Sequence, residues 1–211
     1  MKEARFIVLE GLDGTGKTTQ LTLLADRLRA QGRAVFTDAE PTAAPTGVFL
    51  RRMLAGALPA NEWANAALFF ADRVHHNAGP EGIRARLQRG ETVLLDRYFY
   101  STLAYQGVDT DPDWVMDLHY GCPEIAVPDL VLFLTLPPEE SLRRIRVGRG
   151  DDAAEIYETE GRLRDVAARF DAVLGRLRGQ ETVARVDAAG SPEEVTDRLL
   201  RAIDAYEKGA L

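Results

Sequence analysis

The chain has 211 residues, of which 45% are hydrophobic and 28% are charged, and its formal net charge at pH 7 is −7. This composition is typical of a globular domain with a good-sized core, and the acidic balance disfavours nucleic acids and anionic membranes as partners. The one cysteine excludes an internal disulfide, no apolar run approaches a membrane span, and no cleavable signal pattern is visible, so we expect a cytoplasmic protein.

Five short apolar runs predict strands, and the stretches between them have the periodicity of helices. The runs lie at residues 6–10, 34–37, 92–96, 130–136 and 182–186. Most of them are apolar without alternation, which is expected of parallel strands that are covered on both faces. They predict an α/β fold in one domain over all 211 residues. The expected architecture is a three-layer, doubly wound, five-stranded parallel sheet with helices on both faces and ligands at the carboxyl ends of the strands.

The most informative motif follows the first predicted strand. Residues 11–18 read GLDGTGKT, which fits the phosphate-binding pattern G-x-x-x-x-G-K-[ST], and apolar residues at helical spacing come next. In such a P-loop the glycines let backbone N–H groups surround an anion at a helix N-terminus. Lys17 can reach the β- and γ-phosphates, and the Thr18 hydroxyl can ligate Mg²⁺. The motif therefore predicts a P-loop NTPase that binds a nucleoside triphosphate.

Residues 41–45 contain two prolines and predict a loop, whereas residues 64–74 predict a helix. On that helix Phe69 and Arg73 are four positions apart and share one face. Such a pair can grip a nucleobase, because the ring can stack on it while the guanidinium donates to a carbonyl edge. The spacing also fits a core phenylalanine with a solvated arginine below it, and the pair taken alone favours this plainer interpretation.

An acidic residue and a basic residue, Asp96 and Arg97, follow one another at the end of the third predicted strand. Asp96 is placed to orient Mg²⁺ or its waters, and Arg97 would lie at the carboxyl edge of the sheet, where a guanidinium suits a phosphate. Further along, residues 143–152 contain four arginines and two glycines. This composition predicts an irregular, mobile and basic excursion from the domain.

Several stretches resemble thymidylate kinases, in the right order over residues 5–200. Residues 9–20, LEGLDGTGKTTQ, resemble the family's P-loop, and residues 68–73, LFFADR, resemble its thymine-binding helix. Residues 96–107 contain DRY, a serine and AYQG, which resemble the family's most specific signature, and residues 40–51 resemble its second loop and helix. The resemblance implies ATP-dependent phosphoryl transfer to thymidine 5′-monophosphate (dTMP) for dTTP synthesis, with Mg²⁺, by a homodimer.

The resemblance also implies a role for individual residues on the acceptor side. Phe69 would stack on thymine and Arg73 would donate to a ring carbonyl. Arg51 and Arg97 would hold the acceptor phosphate, and Asp13 would accept from the 3′-hydroxyl. The implied substrate-binding residues are Asp13, Pro41, Arg51, Phe69, Arg73, Arg97, Ser101, Thr102, Tyr105 and Gln106.

Tyr105 is implied to stand against C2′ of the sugar, where a ribose hydroxyl would clash, so that a deoxynucleotide is preferred. On the ATP side, the loop at residues 186–191 would bracket adenine, and Mg²⁺ would lie at Thr18 and Asp96. The implied ATP-binding residues are Gly11, Gly14, Thr15, Gly16, Lys17, Thr18, Thr19 and Ala188.

The P-loop has no basic residue between its glycines, as in the bacterial type of the family. The resemblance therefore implies that a lid at about residues 143–155 supplies the transition-state arginine, through Arg146 and Arg149. The chain departs from the family pattern at Ala39, where an arginine often precedes Glu-Pro, and at residues 153–158, AAEIYE, which lack a further Asp-Arg pair. The implied catalytic residues are Lys17, Asp13, Arg97, Arg149 and Arg146.

Two other functions fit parts of the pattern. The nearest is a deoxynucleoside kinase, or another monophosphate kinase, on the same fold. A hydroxyl acceptor needs a general base, for which Asp13 is the candidate, whereas an ionised phosphate acceptor needs none. His75, His76 and His119 form no convincing catalytic or metal-binding set. A non-catalytic nucleotide switch, the second alternative, leaves the base-binding pattern unexplained.

Overall fold

The structure, a computed structural model, describes residues 3–59, 61–149, 160–177 and 181–211. Within these ranges one parallel sheet has the strand order β2-β3-β1-β4-β5, which confirms the predicted fold class. The predicted runs agree closely with the observed strands, and the largest difference is a shift of β2 toward the carboxyl edge. The strands are β1 (Phe6–Glu10), β2 (Val35–Ala39), β3 (Thr92–Asp96), β4 (Leu130–Thr135) and β5 (Thr182–Asp187).

Helices cover both faces of this sheet, and a 3₁₀ turn at Gln106–Val108 continues the helix that follows β3. None of the helices in the described ranges is long and apolar enough to cross a membrane. The helices are α1 (Lys17–Ala30), α2 (Pro45–Leu54), α3 (Glu62–Asn77), α4 (Ile83–Gln88), α5 (Phe99–Tyr105), α6 (Pro112–Gly121), α7 (Pro138–Arg149), α8 (Glu160–Leu174) and α9 (Pro192–Glu207).

The side chains of β1 alternate between two hydrophobic cores, one on each face of the sheet. Phe6 and Val8 pack into the core that α5, α6 and α8 cover, whereas Ile7 and Leu9 pack into the core that α1 and α9 cover. Because both faces are buried, apolar residues occupy consecutive positions of the strand from Phe6 to Leu9. β1 is also the middle strand of the sheet. The loop that follows it therefore lies at the carboxyl edge, between the strands on either side of β1.

The basic segment differs from its prediction. Its arginines and glycines favour irregular backbone, but the structure places residues 143–149 in helix α7, so the prediction is wrong there. Glu140 forms ion pairs with Arg143 and Arg144, three and four positions later, and such pairs support a helix. Acidic side chains in the first turn of α7 also suit its dipole. The rest of the predicted lid, residues 150–155, lies outside the described residues.

Candidate active site

The P-loop links β1 to α1 and packs closely on the neighbouring part of the fold. At Gly11, φ is 138° and a Cβ would lie 2.5 Å from the carbonyl oxygen of Leu134. At Gly14, φ is 80° and a Cβ would overlap the carbonyl oxygen of Ser141 on α7. Only glycine avoids both the strained backbone and the overlap at these positions. The glycines therefore seat the loop against β4 and α7.

Lys17 lies at the first position of α1, and its side chain reaches back into the loop. Its Nζ donates to the carbonyl oxygens of Gly11 and Leu12, at 3.1 Å and 2.8 Å. Burial lowers the pKa of Lys17, and the neighbouring charge of Arg97 lowers it further, while nearby carboxylates oppose the change. The ammonium is thus held by neutral carbonyls at the place where a phosphate would be bound.

Thr18 and Asp96 meet at the end of β3, as a magnesium site at this edge requires. The Thr18 hydroxyl donates to Oδ2 of Asp96 at 2.7 Å. The other oxygen of Asp96, Oδ1, is buried and has no hydrogen-bond partner among the described residues. An unpaired buried carboxylate oxygen beside a hydroxyl oxygen suits a hard cation such as Mg²⁺. The two predicted ligands therefore fit the metal.

A cavity of about 500 Å³ opens above the P-loop. Arg144 of α7, which the sequence did not single out from its basic segment, lines this cavity and donates to the carbonyl oxygen of Ala188 at 3.3 Å. Gly11 lies behind the loop rather than in the cavity wall, where its carbonyl oxygen accepts from Lys17. Seven of the implied ATP-binding residues line the cavity: Gly14, Thr15, Gly16, Lys17, Thr18, Thr19 and Ala188.

A second cavity, of about 190 Å³, lies beside the first. Asp13 and Arg97 line both cavities, so the two meet at these side chains. Glu40, Leu54 and Tyr98 also line the second cavity and were not among the predicted residues. All ten implied substrate-binding residues line it: Asp13, Pro41, Arg51, Phe69, Arg73, Arg97, Ser101, Thr102, Tyr105 and Gln106.

An ion pair between Asp13 and Arg97 spans the junction of the cavities. The other carboxylate oxygen of Asp13 accepts from the Tyr105 hydroxyl at 2.8 Å, and Arg97 donates to Oγ of Ser101 at 2.9 Å. Burial lowers the pKa of Arg97, but Asp13 and the nearby acids more than offset it, so the pKa lies well above its ordinary value. Burial also raises the pKa of Tyr105, so its hydroxyl keeps its proton and donates.

Glu10, the last residue of β1, supports this junction from below, and the sequence did not reveal it. One of its carboxylate oxygens accepts from the backbone N–H groups of Tyr98 and Ser101, at 2.8 Å and 3.1 Å. The other accepts from the Ser101 hydroxyl at 2.7 Å. Glu10 thereby satisfies donors at the start of α5 and fixes the turn in which Arg97 has a φ of 73°. The signal that could have indicated Glu10 is its position: it is an acidic residue at the end of a strand, directly before the P-loop.

Arg73 is buried, with 1% of its surface exposed. Its Nε donates to Oε2 of Glu40 at 2.6 Å, and one terminal nitrogen lies 2.6 Å from Nε2 of His119. The interpretation of Arg73 as a solvated arginine is therefore wrong, because an ion pair and a ring nitrogen hold its guanidinium inside the protein. Phe69, one turn earlier on α3, is partly buried and lines the same cavity as Arg73.

Glu40 is held from its other side by His76, whose Nδ1 lies 3.0 Å from Oε1. The Nε2 of the same ring lies 3.3 Å from the carboxylate of Asp38. Burial opposes a charge on His76, but these two carboxylates more than offset it and raise its pKa to about 9. The protonated ring balances the negative charge that Glu40 and Asp38 bring to the edge of β2.

The loop between β2 and α2 is fixed by polar contacts from two helices. Asp72 of α3 accepts from the backbone N–H of Thr42 at 2.8 Å and from its hydroxyl at 2.7 Å, and from the Thr46 hydroxyl at 2.6 Å. Arg51 of α2 donates to the carbonyl oxygens of Thr42 and Pro41. These contacts hold Arg51 against the second cavity.

The comparisons with known proteins agree with this arrangement. A model described as thymidylate kinase matches residues 9–199 of the chain. The chain belongs to the thymidylate kinase family. Among curated thymidylate kinases it is 36% identical to that of Synechococcus sp. over 201 residues, covering 94% of each chain. The protein of Thermomicrobium roseum is 38% identical over 196 residues, with 92% of this chain and 91% of that protein covered. A probable thymidylate kinase of Thermococcus kodakarensis is 40% identical over 171 residues, covering 76% and 80%.

The two departures from the thymidylate kinase pattern fall at different places. Ala39 ends β2, and its methyl side chain supplies no cation at this position. Its backbone N–H donates to the carboxylate of Asp38 at 2.8 Å. Arg146 of α7 is exposed and lines neither of the two cavities described. The side chain of Arg149 and residues 153–158 lie outside the described residues. The catalytic roles of the lid arginines stay predictions.

Proposed function

We propose that this chain transfers the γ-phosphoryl group of ATP to dTMP, giving ADP and thymidine 5′-diphosphate. The junction of the two cavities at Asp13 and Arg97 carries this proposal. One cavity is built from the P-loop, which suits a nucleoside triphosphate, and the other is lined by an aromatic ring, a fixed guanidinium donor and two further arginines. The curated relatives named above are thymidylate kinases or probable thymidylate kinases.

Phosphoryl transfer between two nucleotides needs charge neutralisation more than acid–base chemistry. The acceptor phosphate is already ionised at neutral pH, so no side chain has to remove a proton. In the proposed complex Lys17 turns from the carbonyl oxygens of the P-loop to the β- and γ-phosphates of ATP. Arg97 is placed to bind the acceptor phosphate while it keeps Asp13 in position, and Arg51 approaches that phosphate from α2. Together these cations offset the repulsion between the two polyanions.

Magnesium belongs to this proposal, with Thr18 and Asp96 as the residues that would hold it. No group of three or more histidine, cysteine and acidic side chains that could form a metal site by itself occurs in the described ranges. The remaining ligands would therefore be phosphate oxygens and water. When bound, Mg²⁺ neutralises charge on the transferred phosphate.

The proposed sugar and base contacts are those implied by the family resemblance, and their residues line the second cavity. Phe69 stacks on thymine, and Arg73 donates to a ring carbonyl from the position that Glu40 fixes. Asp13 accepts from the 3′-hydroxyl, and its hydrogen bond to Tyr105 holds the phenol ring against the sugar. A ring held there leaves no room for a 2′-hydroxyl, so we propose that the chain prefers deoxynucleotides.

We further propose that the chain acts as one catalytic domain whose lid, at about residues 143–155, brings Arg146 and Arg149 to the transferred phosphate. A homodimer is proposed as well, from the resemblance to the family, and the exposed apolar side chains of Phe49 on α2 and Trp63 on α3 are candidates for its interface. Sedimentation of the purified protein tests this state. A cytoplasmic location stays a prediction from the sequence.

An assay of ADP release with a panel of acceptors tests the activity. The panel consists of dTMP, thymidine, other deoxynucleoside monophosphates and a reaction without acceptor. We expect Mg²⁺-dependent turnover with dTMP, and little with thymidine or without acceptor. Preferred turnover of thymidine would instead indicate a deoxynucleoside kinase, and nucleotide binding without any acceptor-dependent ADP release would indicate a switch. Either result would contradict the proposal.

A further inference from the structure

The five N–H donors of Arg73 are divided between two fixed partners and one weak partner. Its Nε and one terminal nitrogen lie 2.6 Å from Oε2 of Glu40. The other terminal nitrogen lies 2.6 Å from Nε2 of His119. Both terminal nitrogens also face Oγ1 of Thr102, but at 3.4 Å. The donors directed at Thr102, a residue of the cavity wall, are therefore the ones available to a ligand.

His119 can hold Arg73 in only one protonation state. Its Nδ1 lies 2.7 Å from the carbonyl oxygen of Val115, which can only accept, so Nδ1 carries the proton. Its Nε2 faces a guanidinium, which can only donate, so Nε2 carries none. Burial and the charge of Arg73 lower the pKa of His119 to about 3, in agreement with a neutral ring. The Val115 carbonyl and the Arg73 guanidinium therefore require the same neutral tautomer, with the proton on Nδ1.

The ring of His119 is also fixed sterically. It stacks on Phe99 with the ring centres 5.2 Å apart, and the Phe70 ring meets it edge to face at 5.4 Å. Only 1% of the residue is exposed, and it lies behind Arg73, outside the residues that line the cavity. Because the ring cannot turn, its Nε2 is an acceptor at a fixed position for Arg73. His119 therefore acts on a ligand through Arg73 rather than by contact.

We propose that His119 is a positioning residue: it holds Arg73 as a fixed donor, so that the second cavity accepts a pyrimidine with a carbonyl at C4 and rejects one with an amino group there. This inference rests on the proposed function, because it takes the base of dTMP as the ligand of Arg73. A cytosine amino group would face the same donors and leave them unpaired, which disfavours binding. Without His119 the guanidinium has one fixed partner, Glu40, and can turn away.

Two substitutions separate the hydrogen bond of His119 from its packing. His119→Phe keeps a flat ring between Phe99 and Phe70 but removes the acceptor. His119→Gln can place an amide oxygen near the position of Nε2 and restore the acceptor. The exposed His75 of α3 offers a matched control, His75→Phe.

Binding of dTMP and dCMP to each full-length variant is measured by calorimetry, and KM and kcat by ADP release. For His119→Phe we expect a tenfold or larger rise in the Kd and KM for dTMP, since hydrogen bonds to charged groups contribute at this level. The preference for dTMP over dCMP falls by a similar factor, while kcat and the KM for ATP change little. His119→Gln recovers most of the loss, and His75→Phe resembles wild type.

A His119→Phe protein that keeps the wild-type preference for dTMP over dCMP would overturn the positioning role. An equal loss in kcat and in both KM values, without recovery in His119→Gln, would also overturn it, because that pattern indicates a structural role. Failure of the wild-type protein to bind dTMP would overturn the proposed function together with this selectivity. Nitrogen-15 NMR of the three histidines tests the geometry independently of activity. A protonated or Nε2–H form of His119 at pH 5 would contradict the inference.

Discussion

His76 and His119 are both buried, yet their neighbours move their pKa values in opposite directions, which makes stability depend on pH in two ways. Burial by itself opposes the charged form of either ring. At His76 the carboxylates of Asp38 and Glu40 outweigh burial and raise the pKa from 6.5 to about 9. At His119 burial and the charge of Arg73 act together and lower the pKa from 6.5 to about 3.

The sign of each effect follows from which state binds the proton more tightly. The folded state holds the His76 proton more tightly than the unfolded chain. Its contribution is therefore complete below pH 6.5 and is lost as the pH rises through 9. This interval corresponds to about 3 kcal/mol at roughly 1.4 kcal/mol per pH unit. The unfolded chain accepts the His119 proton below pH 6.5 and the folded state resists it, so stability falls by about 2 kcal/mol between pH 6.5 and pH 5.

Urea unfolding of wild type and of single glutamine variants, measured between pH 5 and pH 9.5, isolates the two histidines. The difference in unfolding free energy between wild type and His76→Gln should shrink by about 3 kcal/mol above pH 6.5. Between pH 6.5 and pH 5 the unfolding free energy of wild type should fall by about 2 kcal/mol more than that of His119→Gln. The exposed His75→Gln is the control and should follow wild type. A His76→Gln curve parallel to that of wild type above pH 6.5 would refute the assignment of a bound proton to His76.

Three other substitutions test the proposed chemistry. Lys17→Ala removes the cation at the phosphates and should lower kcat by ~10³ or more; turnover above a tenth of wild type would exclude Lys17 from the mechanism. Tyr105→Ala should weaken the preference for dTMP over its ribose analogue, whereas Tyr105→Phe should keep it because the ring remains; an unchanged preference in Tyr105→Ala would show that another group excludes the 2′-hydroxyl. Combined replacement of Arg146 and Arg149 by alanine should lower kcat and leave the binding of both nucleotides nearly unchanged, and a normal kcat would place the catalytic cation elsewhere, first at Arg97.

Local patterns in the sequence determined the sheet and the phosphate-binding loop. A strand buried on both faces needs apolar side chains on both, so β1, β3 and β4 were recognisable from a few adjacent apolar residues. The P-loop likewise has its glycines and Lys17 within eight positions, 11–18, directly after a predicted strand. Such features depend only on neighbours along the chain, so the order of residues in a short segment is enough to predict them. The α7 helix shows the limit of this reasoning, because it continues through the glycine that favoured a break, with ion pairs at Glu140 near its start.

The tertiary structure alone decided how the side chains of the site are held. Phe69 and Arg73 share a helix face in either interpretation. The burial of Arg73 became visible only in the fold, which brings Glu40 and His119, 33 and 46 positions away, to its guanidinium. Asp13 and Arg97 are 84 positions apart, and they meet because β1 and β3 are neighbours in the sheet. Burial sets the strength of these contacts and the direction of the pKa values, and burial depends on elements that are distant along the chain but adjacent in the fold.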